Sequence, residues 1–173
     1  MEHPPIERRR LGRTDLEVSL IGLGTMTWGE QNTEDEAHEQ LDYARERGIN
    51  FIDVAEMYPV PPNPETQGRT ERFVGSWLSE RGLREEVILA TKVTGRSPMS
   101  WIREGGTRLT RQQIISACES SLQRLQTDYI DLYQVHWPDR STNFFGKLGY
   151  RHEVENDVAE IEETLGALAE LVE

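Results

Sequence analysis

The sequence predicts an α/β fold in which short parallel strands alternate with amphipathic helices. Three mostly apolar runs have the composition of buried strands, at residues 50–54, 87–91 and 129–135. Segments with apolar residues at helical spacing follow each of these runs. This alternation is typical of βαβ units with right-handed crossovers, which assemble into a parallel sheet.

The amino-terminal part of the chain predicts a hairpin, a first strand and a first helix. Residues 6–19 contain a central turn cluster between short mixed runs, as a β-hairpin does. Segment 20–26 is apolar and glycine-rich, and we expect it to form a buried strand. Thr33 and Glu36 have the spacing of a capping box, which marks the beginning of a helix, and Gly48 suits its end.

The remaining segments continue the alternation. Helices are expected after the three strands, at residues 69–79, from residue 110 onwards and at residues 158–173. Thr110 and Gln113 again have capping-box spacing. We therefore expect one domain over residues 1–173, with a hairpin and about four strand–helix units.

The length limits which α/β architecture the chain can form. A complete (β/α)8 TIM barrel typically needs about 250 residues, whereas this chain has 173. Half of such a barrel and an open, flavodoxin-like sheet both remain possible. Residues 169–173 keep the helical pattern without a glycine stop, which favours a truncated chain.

Composition excludes several classes of function. A net charge of −12 argues against binding of nucleic acid or of an anionic membrane surface, because both attract basic proteins. Cys118 is the single cysteine, and the histidines are scattered, so neither an internal disulfide nor a metal site is expected. Residues 1–10 lack the apolar core of a signal peptide, and no run approaches the roughly 20 residues that span a bilayer. We expect a soluble, cytoplasmic protein that does not bind a membrane.

Each of the three predicted strands ends at or near an ionisable side chain. Asp53, Lys92 and His136 occupy these ends, and Tyr58 lies five residues after Asp53. Because the carboxyl ends of parallel strands form one rim, the four side chains can meet there. Taken singly, each has an ordinary structural interpretation, as a packing residue, a solvated strand end, a turn cap or a loop histidine. Their joint placement favours a functional site.

The chemistry of this set suits the reduction of a carbonyl group. A phenol has a solution pKa of about 10 and is a poor acid, but a nearby ammonium such as that of Lys92 favours the phenolate. Asp53 would hold Lys92 charged and oriented. Tyr58 would then give a proton to a developing alkoxide, while a neutral His136 orients the carbonyl oxygen.

Several segments resemble the aldo-keto reductase family, and most closely its Tas-like branch, which is related to potassium-channel β-subunits. They are residues 22–26 with 29–31, residues 51–58, residues 90–93 and residues 128–138. The resemblance covers essentially the whole chain but only the first half of the family's fold. It implies a (β/α)8 barrel closed at the bottom by the hairpin, and a catalytic tetrad of Asp53, Tyr58, Lys92 and His136.

The resemblance also implies contacts with NADPH/NADP+ and with substrate. The positions that match the nicotinamide end are Thr25, Met26, Gln31 and Asp53. The positions that match the family's substrate pocket are Trp28 and Trp137. The family binds the pyrophosphate and the 2′-phosphate mainly with loops of the second half, which are absent here.

The sequence thus predicts an NADPH-dependent oxidoreductase that reduces small aldehyde and ketone carbonyls, in an incomplete form with little activity alone. One alternative is a non-catalytic binding or regulatory module of the channel β-subunit type. A further expectation is self-association, because strand 129–135 would leave an open sheet edge that invites pairing.

Overall fold

The computed structural model describes residues 6–141, 148–152 and 154–173. An antiparallel hairpin of β1 (Arg8–Arg10) and β2 (Glu17–Ser19) precedes a four-stranded parallel sheet. The sheet strands are β3 (Leu23–Gly24), β4 (Phe51–Asp53), β5 (Ile88–Val93) and β6 (Leu132–Val135). The helices are α1 (Glu34–Glu46), α2 (Arg69–Arg81), α3 (Arg111–Leu125) and α4 (Ile161–Glu170), with a short 3-10 helix at Arg84–Glu86.

The strands lie side by side in the order in which they occur in the sequence, β3-β4-β5-β6. A flavodoxin-like sheet would place its first strand between two others, so that alternative is wrong. Sequential parallel order, with a helix between neighbouring strands, is the arrangement of a (β/α)8 barrel.

Strand register decides which side chains share a face. Asp53 pairs with Ala90, and Lys92 pairs with Gln134. Because successive side chains of a strand point to opposite faces, these four residues lie on one face, which we call the site face. The intervening residues, such as Leu89, face the helices.

The hydrophobic core lies between the sheet and the helices. Its main cluster joins α1, α2 and the sheet face opposite the site face, and its largest fully buried side chains are those of Leu41, Trp77 and Leu89. A second cluster joins β5, β6, α3 and α4. Helices α1, α2 and α3 therefore bury their apolar sides against the strands that flank them.

The two predicted capping boxes differ in outcome. At α1 the box is complete: the Thr33 hydroxyl accepts from the Glu36 backbone N–H, and the Glu36 carboxylate accepts from the Thr33 N–H at 2.8 Å. At α3 the Thr110 hydroxyl accepts from the Gln113 N–H, but the Gln113 Oε1 accepts from the Arg108 N–H at 2.6 Å instead. The second box is therefore only half formed.

Segment 20–26 is less regular and less buried than predicted. Only Leu23–Gly24 is strand, and the exposed fractions of Leu20, Ile21 and Met26 are 48%, 56% and 50%. The physical reason is position: β3 is an edge strand of the described sheet and gains cover from β4 alone.

The last strand and the last helix are also shorter than predicted. Strand β6 begins at Leu132, because side-chain contacts hold the preceding residues: the Arg84 guanidinium stacks on the Tyr129 ring at 3.6 Å and donates to the Asp131 carboxylate at 2.7 Å. Helix α4 covers Ile161–Glu170 within the predicted range 158–173.

Candidate active site

The four residues predicted at the strand ends lie together. Asp53 ends β4, Lys92 lies near the end of β5, His136 directly follows β6, and Tyr58 lies in the loop after β4. The Lys92 ammonium nitrogen is 2.5 Å from Asp53 Oδ1 and 3.4 Å from Tyr58 Oη. The rings of Tyr58 and His136 meet edge to face, with centroids 5.6 Å apart.

The Lys92 ammonium has three partners that fix its position. It donates to Asp53 Oδ1, to the Val54 carbonyl at 2.7 Å and to Tyr58 Oη. A compact ammonium with three rotatable donors suits such convergent acceptors. Lys92 is also one of only two lysines among 19 basic residues, so the chain uses arginine almost everywhere else. The ammonium thus provides a fixed positive charge beside a phenol.

Tyr58 is held by its backbone as well as by its ring. Its N–H donates to the Ala55 carbonyl at 3.1 Å, and its carbonyl accepts from the Gly68 N–H at 2.8 Å. The residue is 7% exposed and packs with Ala55 and Met57. The phenol is therefore buried in a loop that is hydrogen-bonded on both sides of Tyr58, with its hydroxyl directed at Lys92.

His136 is a neutral base at physiological pH. Burial and the nearby Lys92 ammonium lower its pKa from the usual 6.5 to about 4, against the opposing effect of the Asp53 carboxylate. Its backbone N–H donates to the Val93 carbonyl at 3.0 Å. The ring atom Nδ1 is buried and has no hydrogen-bond partner among the described residues. Because a buried nitrogen is closed to a substrate, a carbonyl oxygen could bind only at the other ring nitrogen, Nε2.

The three other residues predicted to contact the nicotinamide lie at different depths. The Thr25 hydroxyl is buried and donates to the Asp53 carbonyl at 2.9 Å. Thr25 therefore helps to fix the backbone of Asp53. The Met26 side chain is half exposed, and the Met26 carbonyl accepts from the Val60 N–H at 2.8 Å. Gln31 is exposed. Thr25 therefore adjoins the tetrad, and Met26 and Gln31 lie at the surface.

The two predicted pocket tryptophans lie in different places. Trp137 packs against the Tyr58 cluster, with its ring 4.9 Å from that of His136 and its Nε1 donating to the Arg96 carbonyl at 2.9 Å. Trp28 is 6% exposed and belongs to the main core between sheet and helices. Trp28 is therefore less accessible than the half-buried Trp137, and its place in a substrate pocket stays a prediction.

Two residues of the site were not predicted from the sequence. Gln134 donates from Nε2 to Asp53 Oδ2 at 3.2 Å, so the Asp53 carboxylate is held on both oxygens. Gln134 precedes His136 by two residues, and residues two apart on a strand point to the same face. This spacing could have predicted that Gln134 lies near the site. Glu56 is 2% exposed and pairs with the Arg103 guanidinium. No sequence signal marks Glu56, because a loop glutamate is usually solvated.

Within the described ranges, no group of three or more His, Cys, Asp or Glu residues could hold a metal ion. None of the helices described is long and apolar enough to cross a membrane.

The chain is similar to known proteins in both sequence and fold. Residues 20–173 match the sequence model of the family described as "Aldo/keto reductase family". Protein tas of Escherichia coli (strain K12) is 56% identical over 169 residues, which are 95% of this chain and 48% of that protein. Aldo-keto reductase YhdN of Bacillus subtilis (strain 168) is 40% identical over 140 residues, covering 78% of this chain and 39% of that protein.

A solved structure, aldo-keto reductase AKR11C1 from Bacillus halodurans in its holo form, superposes with a TM-score of 0.69 at 37% identity. The match covers 96% of this chain and 46% of the other. The chain thus spans about half the length of the relatives it matches. The predicted fold family, a (β/α)8 barrel represented here by a hairpin and four strand–helix units, is confirmed.

Proposed function

The chain belongs to the aldo/keto reductase family, and from this premise we propose that its strand-end cluster reduces aldehyde and ketone carbonyls with NADPH. The observation that carries the proposal is the contact between Lys92 and Tyr58: the ammonium lies 3.4 Å from the phenol oxygen while it is bound to Asp53. A buried phenol beside a fixed cation is a proton donor whose conjugate base is stabilised.

Carbonyl reduction adds a hydride to carbon and a proton to oxygen, and the nicotinamide of bound NADPH supplies the hydride. Tyr58 gives its hydroxyl proton to the carbonyl oxygen as negative charge develops there. Lys92 stabilises the phenolate that remains, and Asp53 keeps Lys92 in place. The neutral ring of His136 donates a hydrogen bond to the same carbonyl oxygen and orients it.

The residues present fit one end of the cofactor better than the other. The Asp53 side chain is 30% exposed and Met26, in the turn after β3, is half exposed, so both are accessible to a nicotinamide. A net charge of −12 opposes the binding of phosphate groups. We propose that Thr25, Met26, Gln31 and Asp53 surround the nicotinamide, and that this chain alone binds NADPH weakly and turns over slowly.

We also propose a substrate class and a cellular location for the chain. The substrate would be a small carbonyl compound held between Tyr58 and Trp137. The chain would act as a single domain in the cytoplasm, and self-association through the sheet edge stays a prediction. A docking module of the channel β-subunit type would not require an ordered Lys92–Tyr58 contact, so that contact favours catalysis.

Replacement of the phenol tests the proposal. We expect the wild-type chain, at high protein concentration, to oxidise NADPH slowly in the presence of 4-nitrobenzaldehyde. Tyr58→Phe should lower that rate by about 100-fold or more, because general acid catalysis contributes a factor of this order. Tyr129→Phe, at a half-exposed ring stacked on Arg84, is the matched control and should leave the rate unchanged.

Three results would count against parts of the proposal. Equal rates in wild type and Tyr58→Phe would remove Tyr58 as the proton donor. A wild-type chain without aldehyde-dependent oxidation would contradict reductase activity. Rapid steady turnover would contradict only the expectation that this chain works slowly by itself.

A further inference from the structure

A buried ion pair lies directly behind the Tyr58 loop. Glu56, between Asp53 and Tyr58 in the sequence, has a side chain that is 3% exposed, and its carboxylate pairs with the guanidinium of Arg103, 11% exposed. The second carboxylate oxygen accepts from the Thr94 N–H at 2.9 Å. This pair takes no part in the proton transfer described above.

The backbone of Glu56 is also fully engaged. Its N–H donates to the Lys92 carbonyl at 3.2 Å, and its carbonyl accepts from Gln67 Nε2 at 2.7 Å. Glu56 therefore connects the loop that carries Tyr58 to the strand that carries Lys92 at two points that flank Val93, the Lys92 carbonyl and the Thr94 N–H.

Arg103 ties the same loop to a third segment. Besides Glu56, it donates to the Thr94 carbonyl at 3.1 Å and to Gln113 Oε1 at 3.0 Å in the first turn of α3. Its neighbour Ile102 packs against the Tyr58 cluster. One guanidinium thus joins the Tyr58 loop, the end of β5 and the beginning of α3.

Stability alone does not account for this arrangement. Taking two charges out of water is costly, and replacement of a buried ion pair by apolar groups is often neutral or stabilising. Burial raises the pKa of Glu56 and lowers that of Arg103, in the direction expected when both charges are removed from water. A costly pair placed next to a site that depends on exact distances points to a positioning role.

We propose that Glu56 and Arg103 are positioning residues that set the distance between Tyr58 Oη and Lys92 Nζ for proton transfer. The proposal rests on the function proposed above. Without the carboxylate, the Tyr58 loop loses its fixed attachment to Thr94 and Arg103, and the phenol moves away from the ammonium. Displacement of a reacting group by about 1 Å can lower a rate by about 100-fold.

The chain offers a matched control in a second buried ion pair. Glu71 is fully buried, and its carboxylate accepts from Arg124 Nε and from the Thr91 hydroxyl, both at 2.6 Å. This pair joins α2, α3 and Thr91 of β5, and the Arg124 side chain lies beside Gly68 at the end of the loop after β4. Neither Glu71 nor Arg124 forms a side-chain hydrogen bond with residues 54–60. Glu71→Gln and Glu56→Gln therefore make the same chemical change at equal burial, in two different places.

The test compares kinetic constants of the full chain. We expect Glu56→Gln to lower kcat by about 100-fold with an unchanged KM for NADPH, and Glu71→Gln to leave kcat unchanged while lowering the melting temperature. Arg103→Lys keeps the charge and should retain more activity than Arg103→Met. If Glu56→Gln does not fold, the comparison of Arg103→Lys with Arg103→Met tests the proposal instead.

A spectroscopic readout tests the positioning without turnover. The ring-proton signals of Tyr58, assigned by their loss in Tyr58→Phe, depend on the His136 ring 5.6 Å away. They should shift in Glu56→Gln and Arg103→Met and keep their positions in Glu71→Gln. Unshifted signals in a folded Glu56→Gln or Arg103→Met protein would overturn the inference. If wild type reduces no aldehyde, the proposed function fails and the spectrum alone decides the role of Glu56.

Discussion

The surroundings of His136 suit it for the role that we propose. Half-buried beside the Lys92 ammonium, its imidazole resists protonation, and its pKa falls to about 4. The neutral ring can therefore orient a carbonyl oxygen at pH 7, where an imidazolium would repel Lys92. The same effect makes the stability of the fold depend on pH.

We expect the free energy of unfolding to fall as the pH is lowered from about 6.5 towards 4. Over this range the unfolded chain binds a proton at His136 that the folded chain does not, so acid favours unfolding. Urea denaturation at pH 7 and pH 5 should show a smaller loss of stability for His136→Asn than for wild type.

His152 provides the control for this measurement, because it is an exposed histidine. His152→Asn should show the wild-type dependence on pH. If His136→Asn and wild type lose equal stability between the two pH values, the His136 ring is not shielded from protonation in solution.

At the scale of elements, the contact between α2 and α3 depends on one glycine. A Cβ built on Gly75 of α2 would lie 2.8 Å from Leu125 Cα and would also clash with the Arg124 carbonyl. Backbone atoms cannot move aside as a flexible side chain can, so the two helices can approach this closely only where α2 lacks a side chain. The close approach fixes the helix that carries Arg124, the partner of Glu71.

We expect Gly75→Ala to lower the free energy of unfolding by about 1–3 kcal/mol, the usual cost of overpacking. Gly166→Ala in α4 should have the opposite sign and stabilise by about 0.5–1 kcal/mol, because its Cβ would meet nothing within 4 Å and alanine favours a helix. Chemical denaturation measures the free energy of unfolding of both variants and of the wild type. Equal effects of the two substitutions would show that the α2–α3 contact is looser in solution.

At the scale of the whole molecule, the described sheet ends at β3 on one side and at β6 on the other. Edge strands present unpaired backbone groups that can pair with another chain. Helix α4 adds exposed apolar side chains, with Ile161 61% and Leu165 58% exposed. The β6 edge and α4 lie at the same end of the element order, where a closed barrel would continue with further strands.

We expect the average mass measured by sedimentation equilibrium to rise with protein concentration, through pairing at the β6 edge. Leu132→Lys, which places a charge on that edge, should reduce the association. Leu148→Lys makes the same change at a fully exposed residue outside the sheet and should not. A wild-type mass that stays monomeric at all concentrations would exclude this association.

The sequence by itself determined the features that depend on neighbouring residues. Periodicity indicated the alternation of strands and helices, capping signals located the beginning of α1, and ionisable residues at strand ends identified Asp53, Lys92 and His136. These patterns are legible in one sequence because they repeat within one or two turns or along a single strand. Even so, strands β3 and β6 are shorter than predicted.

Only the tertiary structure decided the features that depend on segments far apart in the chain. It placed Trp28 in the main core, joined Gln134 to Asp53, and buried Glu56 against Arg103, 47 residues away in the sequence. Burial and pairing of this kind follow from how strands and helices pack. The same glutamate would be an ordinary solvated residue if the loop from Gly95 to Thr107 folded elsewhere.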